Sequence, residues 1–210
     1  MIEKTFKEII NAARGAVRLN EPMAKHTTFG IGGPADIFFE PADSDDLACV
    51  IRHASEIGIP WWVLGDGANV LISDKGIRGL VIKLGRSFAK IAIDGEFVTA
   101  GAAVKLDNLV TKTARAGLSG IECAAGIPGT VGGAIVMNAG TYHGCIGSRV
   151  ESVKVIRSDG STAELSQNEI GFRYRWSIFQ SSISDIIMQA VFRLTPADPD
   201  ELMKKVEEIR

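Results

Sequence analysis

Gly126-Ile127-Pro128-Gly129-Thr130-Val131-Gly132-Gly133-Ala134 is the stretch on which the fold turns. Its side chains are small or apolar, and Thr130 is its isolated polar group. It lies inside a longer run, Cys123 to Ser148, that holds no Asp, Glu, Lys or Arg. A charge-free run of that length reaches across a bilayer. Here seven glycines, Pro128 and Asn138 interrupt it, and it has no sustained series of large apolar side chains. A buried, glycine-laced turn region lining a ligand fits better than a membrane span. A flat, partly apolar ring system could lie directly against this backbone, with N–H groups reaching its heteroatoms. A tight tertiary crossing that needs glycine is the other reading, and the residues alone leave both open.

The glycine excess of the chain is concentrated around this run. The chain has 23 glycines in 210 residues, nine of them between Gly117 and Gly147. Usual glycine content is about 7%, so the surplus is local and needs a local cause. The rest of the composition is that of a soluble globular chain with a real core: 46% hydrophobic, 23% charged, net charge −2. That charge argues against a dominant nucleic-acid or anionic-membrane surface. Cys49, Cys123 and Cys145 form no Cys-x-x-Cys pair, and His26, His53 and His143 show no ligand spacing. No metal site and no disulfide framework is expected, and a reducing, cytoplasmic setting follows.

Strands and helices alternate along the chain. Residues 35–40 read as a strand stopped by Pro41. A helix follows, capped by Asp43 or Ser44, with Leu47, Val50, Ile51, Ala54 and Ile57 on one face and Gly58 and Pro60 as stops. Short apolar runs at 61–64, 70–73 and 80–84 read as strands, which makes a βαβ-rich unit over residues 20–85. In the second half, residues 97–100 form a strand. Leu106, Leu109, Val110, Thr113 and Ala114 mark a helix closed by Gly117. Residues 150–157 and 162–165 flank the hairpin signal Ser158-Asp159-Gly160-Ser161. Residues 186–194 make a final strand, 195–199 a linker, and a helix starts at Asp200. That helix carries Leu202, Val206 and Ile209 on one face and reaches Arg210 without a stop signal.

A second glycine-rich loop, Gly65-Asp66-Gly67-Ala68-Asn69-Val70, joins two short apolar runs. Successive N–H groups beside residues without a Cβ make an anion nest suited to a phosphate or pyrophosphate. A plain strand-turn-strand connection also wants Gly and Asn. The loop is not a P-loop, since no Gly-Lys-Ser/Thr follows. It is not the dinucleotide fingerprint either, since Val70 stands where that needs its third glycine.

Four motifs occur in order. The first is Lys25-His26-Thr27-Thr28-Phe29-Gly30-Ile31-Gly32-Gly33-Pro34-Ala35, and the second is Leu64-Gly65-Asp66-Gly67-Ala68-Asn69-Val70-Leu71. The third is Gly117-Leu118-Ser119-Gly120-Ile121-Glu122 running into Gly126 to Gly133, and the fourth is Phe172-Arg173-Tyr174-Arg175-Trp176-Ser177. From residue 20 to the end the chain resembles the UDP-N-acetylenolpyruvoylglucosamine reductases, the MurB family of peptidoglycan precursor synthesis. The resemblance implies an α+β fold, the FAD-binding module of the vanillyl-alcohol-oxidase (PCMH) type with two α+β subdomains. Residues 1–85 and 86–196 would be those subdomains, and 197–210 the start of a helix leading to a third, substrate-binding domain.

The resemblance also assigns roles. Gly65, Asp66, Gly67, Ala68, Asn69 and Val70 would hold the FAD pyrophosphate. Gly126, Ile127, Pro128, Gly129, Thr130, Gly132 and Gly133 would pass the isoalloxazine and diphosphate, with Asn138 either at the cofactor or orienting a loop. NADPH would be the co-substrate and a UDP-sugar enolpyruvate the small-molecule substrate, with the chain a monomer. Arg175 matches the family's active-site arginine. A fixed guanidinium there suits a reaction that builds charge on an enolate conjugated to a carboxylate. Tyr174 would pack beside the substrate or the nicotinamide, with a half-buried strand tyrosine the plainer reading. Glu122 fits the motif with a loop-capping role.

The departure from the family is the third domain. Its Gly-Ser-x-Phe-x-Asn-Pro segment, which carries the proton-donating serine, does not occur, and Ser177 belongs to the arginine motif instead. The expectation is a flavin module with part of an active site, either cut from a full reductase or a natural short form. A flavin oxidoreductase of the same fold with another substrate, and a non-catalytic FAD or nucleotide module, are the alternatives.

Overall fold

The computed structural model describes residues 2–181 and 185–210. They form two compact units, Met1–Ser87 with Ile156–Thr162, and Phe88–Val155 with Ala163–Arg210.

The first unit contains α1 (Ile2–Ala12), β1 (Ala16–Pro22), β2 (Pro34–Glu40), α2 (Ser44–Glu56), β3 (Trp61–Leu64) and β4 (Ile77–Lys83). Its sheet has the order β1-β2-β4-β3. β4 runs parallel to both β2 and β3, and β1 adds to β2 antiparallel. Central position explains the sequence of β2: Ile37, Phe38 and Phe39 are all fully buried, as a strand covered on both faces requires. Phe38 packs with Met23, Ala35, Leu64, Ile72 and Val81, and its neighbours point the opposite way.

α2 begins as its sequence indicates. The Asp43 side chain accepts the Asp46 N–H at 2.9 Å. Asp46 itself does more than favour a helix dipole. It is 1% exposed, and its carboxylate accepts the N–H groups of Arg14, Gly15 and Ala42 at 2.8, 2.8 and 2.9 Å. One buried carboxylate therefore ties the approach to β1 and the exit of β2 to the start of α2.

Residues 70–73, expected as a strand, form none. Val70 and Leu71 are exposed and Ile72 alone of the apolar three is buried. The Ser73 carbonyl accepts from Gly33 and Gly76, both at 2.9 Å, so this backbone serves a turn. The strand beside β3 is β4, further along the chain.

The second unit contains β5 (Ile91–Asp94), β6 (Phe97–Gly101), α3 (Leu106–Arg115), β7 (Leu118–Ser119), α4 (Val131–Met137), β8 (Gly140–Thr141) and β9 (Gly144–Cys145). It continues with β10 (Val150–Arg157), β11 (Thr162–Ser166), α5 (Gln167–Ile170), β12 (Asp185–Arg193), β13 (Thr195–Pro196) and α6 (Pro199–Ile209). The main sheet has the order β11-β10-β12-β6-β5. The tip of the β10–β11 hairpin belongs with the first unit, where a Cβ on Gly160 would stand 3.0 Å from the Ala48 carbonyl oxygen.

Near the end of the sequence the boundaries differ from the sequence reading. α6 starts at Pro199, not Asp200: the Asp198 carboxylate accepts the Asp200 and Glu201 N–H groups at 2.9 and 3.0 Å, and proline suits the first helical turn. The expected linker is partly ordered as β13, which pairs with β7. Leu202 and Val206 of α6 are buried and the helix packs on α3.

Candidate active site

The site is built on a hairpin. Arg173 and Trp176 exchange backbone hydrogen bonds of 3.0 and 3.1 Å, which leaves Tyr174 and Arg175 as its tip. Arg175 has φ 51°, a left-handed conformation uncommon outside glycine and a common accompaniment of functional turns. Tyr174 is 93% exposed and so is not the half-buried strand residue of the plainer reading. Both tip residues face a cavity of about 960 Å³, whose walls include Asn138, Tyr142, Cys145, Gln167 and Phe172.

The base of the hairpin is anchored. The Ser177 hydroxyl, fully buried, donates to the Val136 carbonyl at 2.8 Å. Ser177 is thus committed to the end of α4, which agrees with its place in the arginine motif and not as an acid. Asn138 ends α4 in the left-handed conformation, φ 44°. Its amide donates to the Arg173 carbonyl at 2.8 Å, and its carbonyl accepts the Gly147 N–H at 3.0 Å. Both ends of the side chain meet loop backbone, the contacts that the loop-orienting reading expects. The Gln180 amide, which the sequence reading passed over, donates to Val136 at 3.0 Å and to the Arg175 carbonyl at 2.9 Å. A glutamine in a run after the motif carries no pattern of its own, and only the fold shows where its amide points.

The first glycine-rich run is not one loop. Val131 begins α4, and the Thr130 hydroxyl caps it by accepting the Gly133 N–H at 3.4 Å. The two readings left open by the sequence divide between residues. Gly132 is buried, and a Cβ there would lie 3.0 Å from the Ala102 Cβ, so this glycine serves a tight crossing. Gly129 has φ 128°, and nothing lies within 4 Å of the position of an added Cβ. Gly133 is exposed with only the Thr130 hydroxyl nearby. Those two positions leave backbone open to a flat ligand, as an FAD cradle requires. Gly126 and Pro128 are exposed, and Ile127 is half-buried.

In the first unit, residues 65–70 form a turn between β3 and β4. Gly67 is buried, with φ 69°, and a Cβ on it would overlap the His26 carbonyl. Thr28 donates to the Gly67 carbonyl at 3.1 Å. Gly67 is therefore required by packing on the Lys25-His26-Thr27 motif. Gly65, Asp66 and Ala68 are half-buried, while Asn69 and Val70 are exposed.

Glu122 caps its own turn. It is 5% exposed and accepts the Gly120 N–H at 2.9 Å, with the Lys205 ammonium of α6 at 3.6 Å. Burial pushes its carboxyl up, but the Ser119 side chain, nearby backbone N–H groups and Lys205 together hold it below the ordinary glutamate range. Burial raises the Cys123 thiol to about 11, with the neighbouring Cys145 and Glu122 acting the same way. Among the described residues no group of three or more His, Cys, Asp or Glu side chains could hold a metal ion, and no helix is long and apolar enough to cross a membrane.

Residues 35–166 match the FAD binding domain family. The chain is 38% identical over 207 residues to the UDP-N-acetylenolpyruvoylglucosamine reductase of Bacillus pumilus, covering 99% of this chain and 68% of that protein. The chain belongs to the UDP-N-acetylenolpyruvoylglucosamine reductase family. The Halalkalibacterium halodurans reductase is 42% identical, over 92% of this chain and 64% of that protein. The crystal structure of the Thermus caldophilus reductase, MurB, superposes with a TM-score of 0.79 at 34% identity, over 93% of this chain and 68% of that one. The fold is shared more widely: 4-ethylphenol oxidase from Gulosibacter chungangensis superposes with a TM-score of 0.67 at 16% identity, over 93% of this chain and 43% of that one. The fold is thus the FAD-binding module of the PCMH type, and FAD is its cofactor. The chain spans roughly two thirds of the length of these reductases.

Proposed function

We propose that this chain is the FAD-binding part of an NADPH-dependent reductase that converts UDP-N-acetylglucosamine enolpyruvate to UDP-N-acetylmuramate. The observation that carries the reading is Arg175, held in a left-handed conformation on an anchored hairpin and facing the cavity beside Tyr174. FAD, when bound, supplies hydride chemistry. The chain's own residues bind and orient. The Arg175 guanidinium sits opposite the substrate carboxylate and stabilises the charge that develops on it; five donors in a fixed fork suit a carboxylate better than a point charge does. Tyr174 packs along the sugar-nucleotide or the nicotinamide. The open backbone at Gly129 and Gly133 supports placing the flavin ring against that run, and the turn at 65–70 takes the pyrophosphate.

The two units are the two FAD-binding subdomains in this reading. The three free cysteines support a reducing, cytoplasmic setting. The protein acts as a monomer on a small molecule, which size-exclusion chromatography checks. The decisive test is an absorbance spectrum of protein refolded with FAD, followed by reoxidation of the reduced flavin on adding the enolpyruvyl substrate. A colourless protein overturns the cofactor reading. A yellow protein whose reduced flavin the substrate does not reoxidise even when the chain is joined to a reductase's third domain overturns the reductase reading and leaves a flavin module of the same fold.

A further inference from the structure

We infer that Gln180, working with Asn138, is a positioning residue that fixes the backbone of Arg175 over the cavity. The inference rests on the role proposed for Arg175. Tyr174 and Arg175 are exposed, so packing does not hold the tip. The left-handed φ of Arg175 is a conformation that a non-glycine residue keeps only when its surroundings impose it. The two backbone bonds between Arg173 and Trp176 close the turn but do not attach it to the unit.

The attachment comes from side chains. Gln180 donates from one nitrogen to two carbonyls, that of Val136 in α4 at 3.0 Å and that of Arg175 itself at 2.9 Å. Asn138 holds the other limb through the Arg173 carbonyl at 2.8 Å, and is itself held by Gly147 at 3.0 Å. Gly147 is tied to the same hairpin, because a Cβ there would overlap Phe172. Ser177 completes the set by donating to the same Val136 carbonyl as Gln180, at 2.8 Å. The exposed tip is therefore clamped on both limbs to the last turn of α4, and the clamp on the arginine's own peptide is Gln180.

The test uses the FAD-loaded protein. Gln180→Met keeps the length of the side chain and removes both bonds. Gln180→Glu keeps the shape and turns an oxygen toward two carbonyls. Either variant serves if the other fails to fold. The backbone N–H groups of Arg173 and Trp176 should exchange with solvent roughly tenfold faster, as expected when a net-stabilising hydrogen bond is lost from a local opening unit. With the third domain of a reductase joined to the chain, flavin reoxidation by the enolpyruvyl substrate should fall in kcat with KM little changed. The double variant Arg175→Ala/Gln180→Met should be no slower than Arg175→Ala alone, since Gln180 acts through Arg175.

Unchanged exchange overturns the inference, as does a double variant whose loss is the product of the single losses. If Arg175→Ala leaves reoxidation intact, the function proposed for Arg175 fails. The exchange measurement then still decides whether Gln180 sets that backbone.

Discussion

Two buried side chains beside the site differ in chemistry because of what surrounds each. Cys123 is 6% exposed, and burial moves its thiol to about 11. A thiol at that value is almost wholly protonated at neutral pH and is a poor nucleophile. Iodoacetamide at pH 8 should label Cys49 and Cys145, both half-buried, well before Cys123, and peptide mass spectrometry reads the order. Glu122 is buried too, yet its partners keep it ionised. A carboxyl lowered in the folded state stabilises at pH above its unfolded value, and that contribution is lost as pH falls through the folded value. The tie to Lys205 should therefore hold at neutral pH and weaken only below the ordinary glutamate value of 4.5. Glu122→Gln should cost about 1–3 kcal/mol at pH 7. The difference from wild type should shrink in acid, measured by thermal unfolding across pH.

At the start of α4, two kinds of glycine separate. Gly132 donates to the Ala102 carbonyl at 2.9 Å, and a methyl on it would press on the Ala102 Cβ at 3.0 Å. Gly132→Ala should destabilise the FAD-free protein by about 1–3 kcal/mol through overpacking. Gly129 has open space but a φ of 128°. Gly129→Ala should weaken FAD binding by more than its loss of thermal stability explains, since its backbone faces the flavin in the proposed arrangement. Flavin fluorescence titration beside calorimetry distinguishes the two. An equal effect of both substitutions on stability, with FAD affinity unchanged, would remove the flavin from the 129 backbone.

At the scale of the whole molecule, ligand linkage is the check on the fold assignment. FAD bound to the native state alone raises stability by about 2.7 kcal/mol at a hundredfold excess over Kd. The melting temperature should rise with FAD concentration and not with riboflavin, if the pyrophosphate turn contributes. An FAD-independent melting temperature would show that the folded chain does not bind the cofactor.

The elements that the sequence made legible carry their own signals. β2 carries the unbroken apolar trio Ile37 to Phe39 because it is covered on both faces, and α2 announces itself through Asp43 and a helical apolar stripe. The four motifs carried the resemblance to the family, and that resemblance implied the cofactor. Residues 70–73 misled because an apolar run states only that side chains avoid water; whether a neighbouring strand stands in register is a long-range fact. The 126–134 run misled because glycine disfavours a helix in isolation, and here Thr130 caps it and Ala102 demands the small residue.

The sequence by itself determined the alternation of elements, the glycine surplus and the presence of Arg175. Only the tertiary structure decided which glycines serve packing and which leave backbone open. It alone showed that Asn138, Ser177 and Gln180 converge on one hairpin. These three residues bond to carbonyls, and every residue has one, so nothing in their spacing names the partner until the chain has folded.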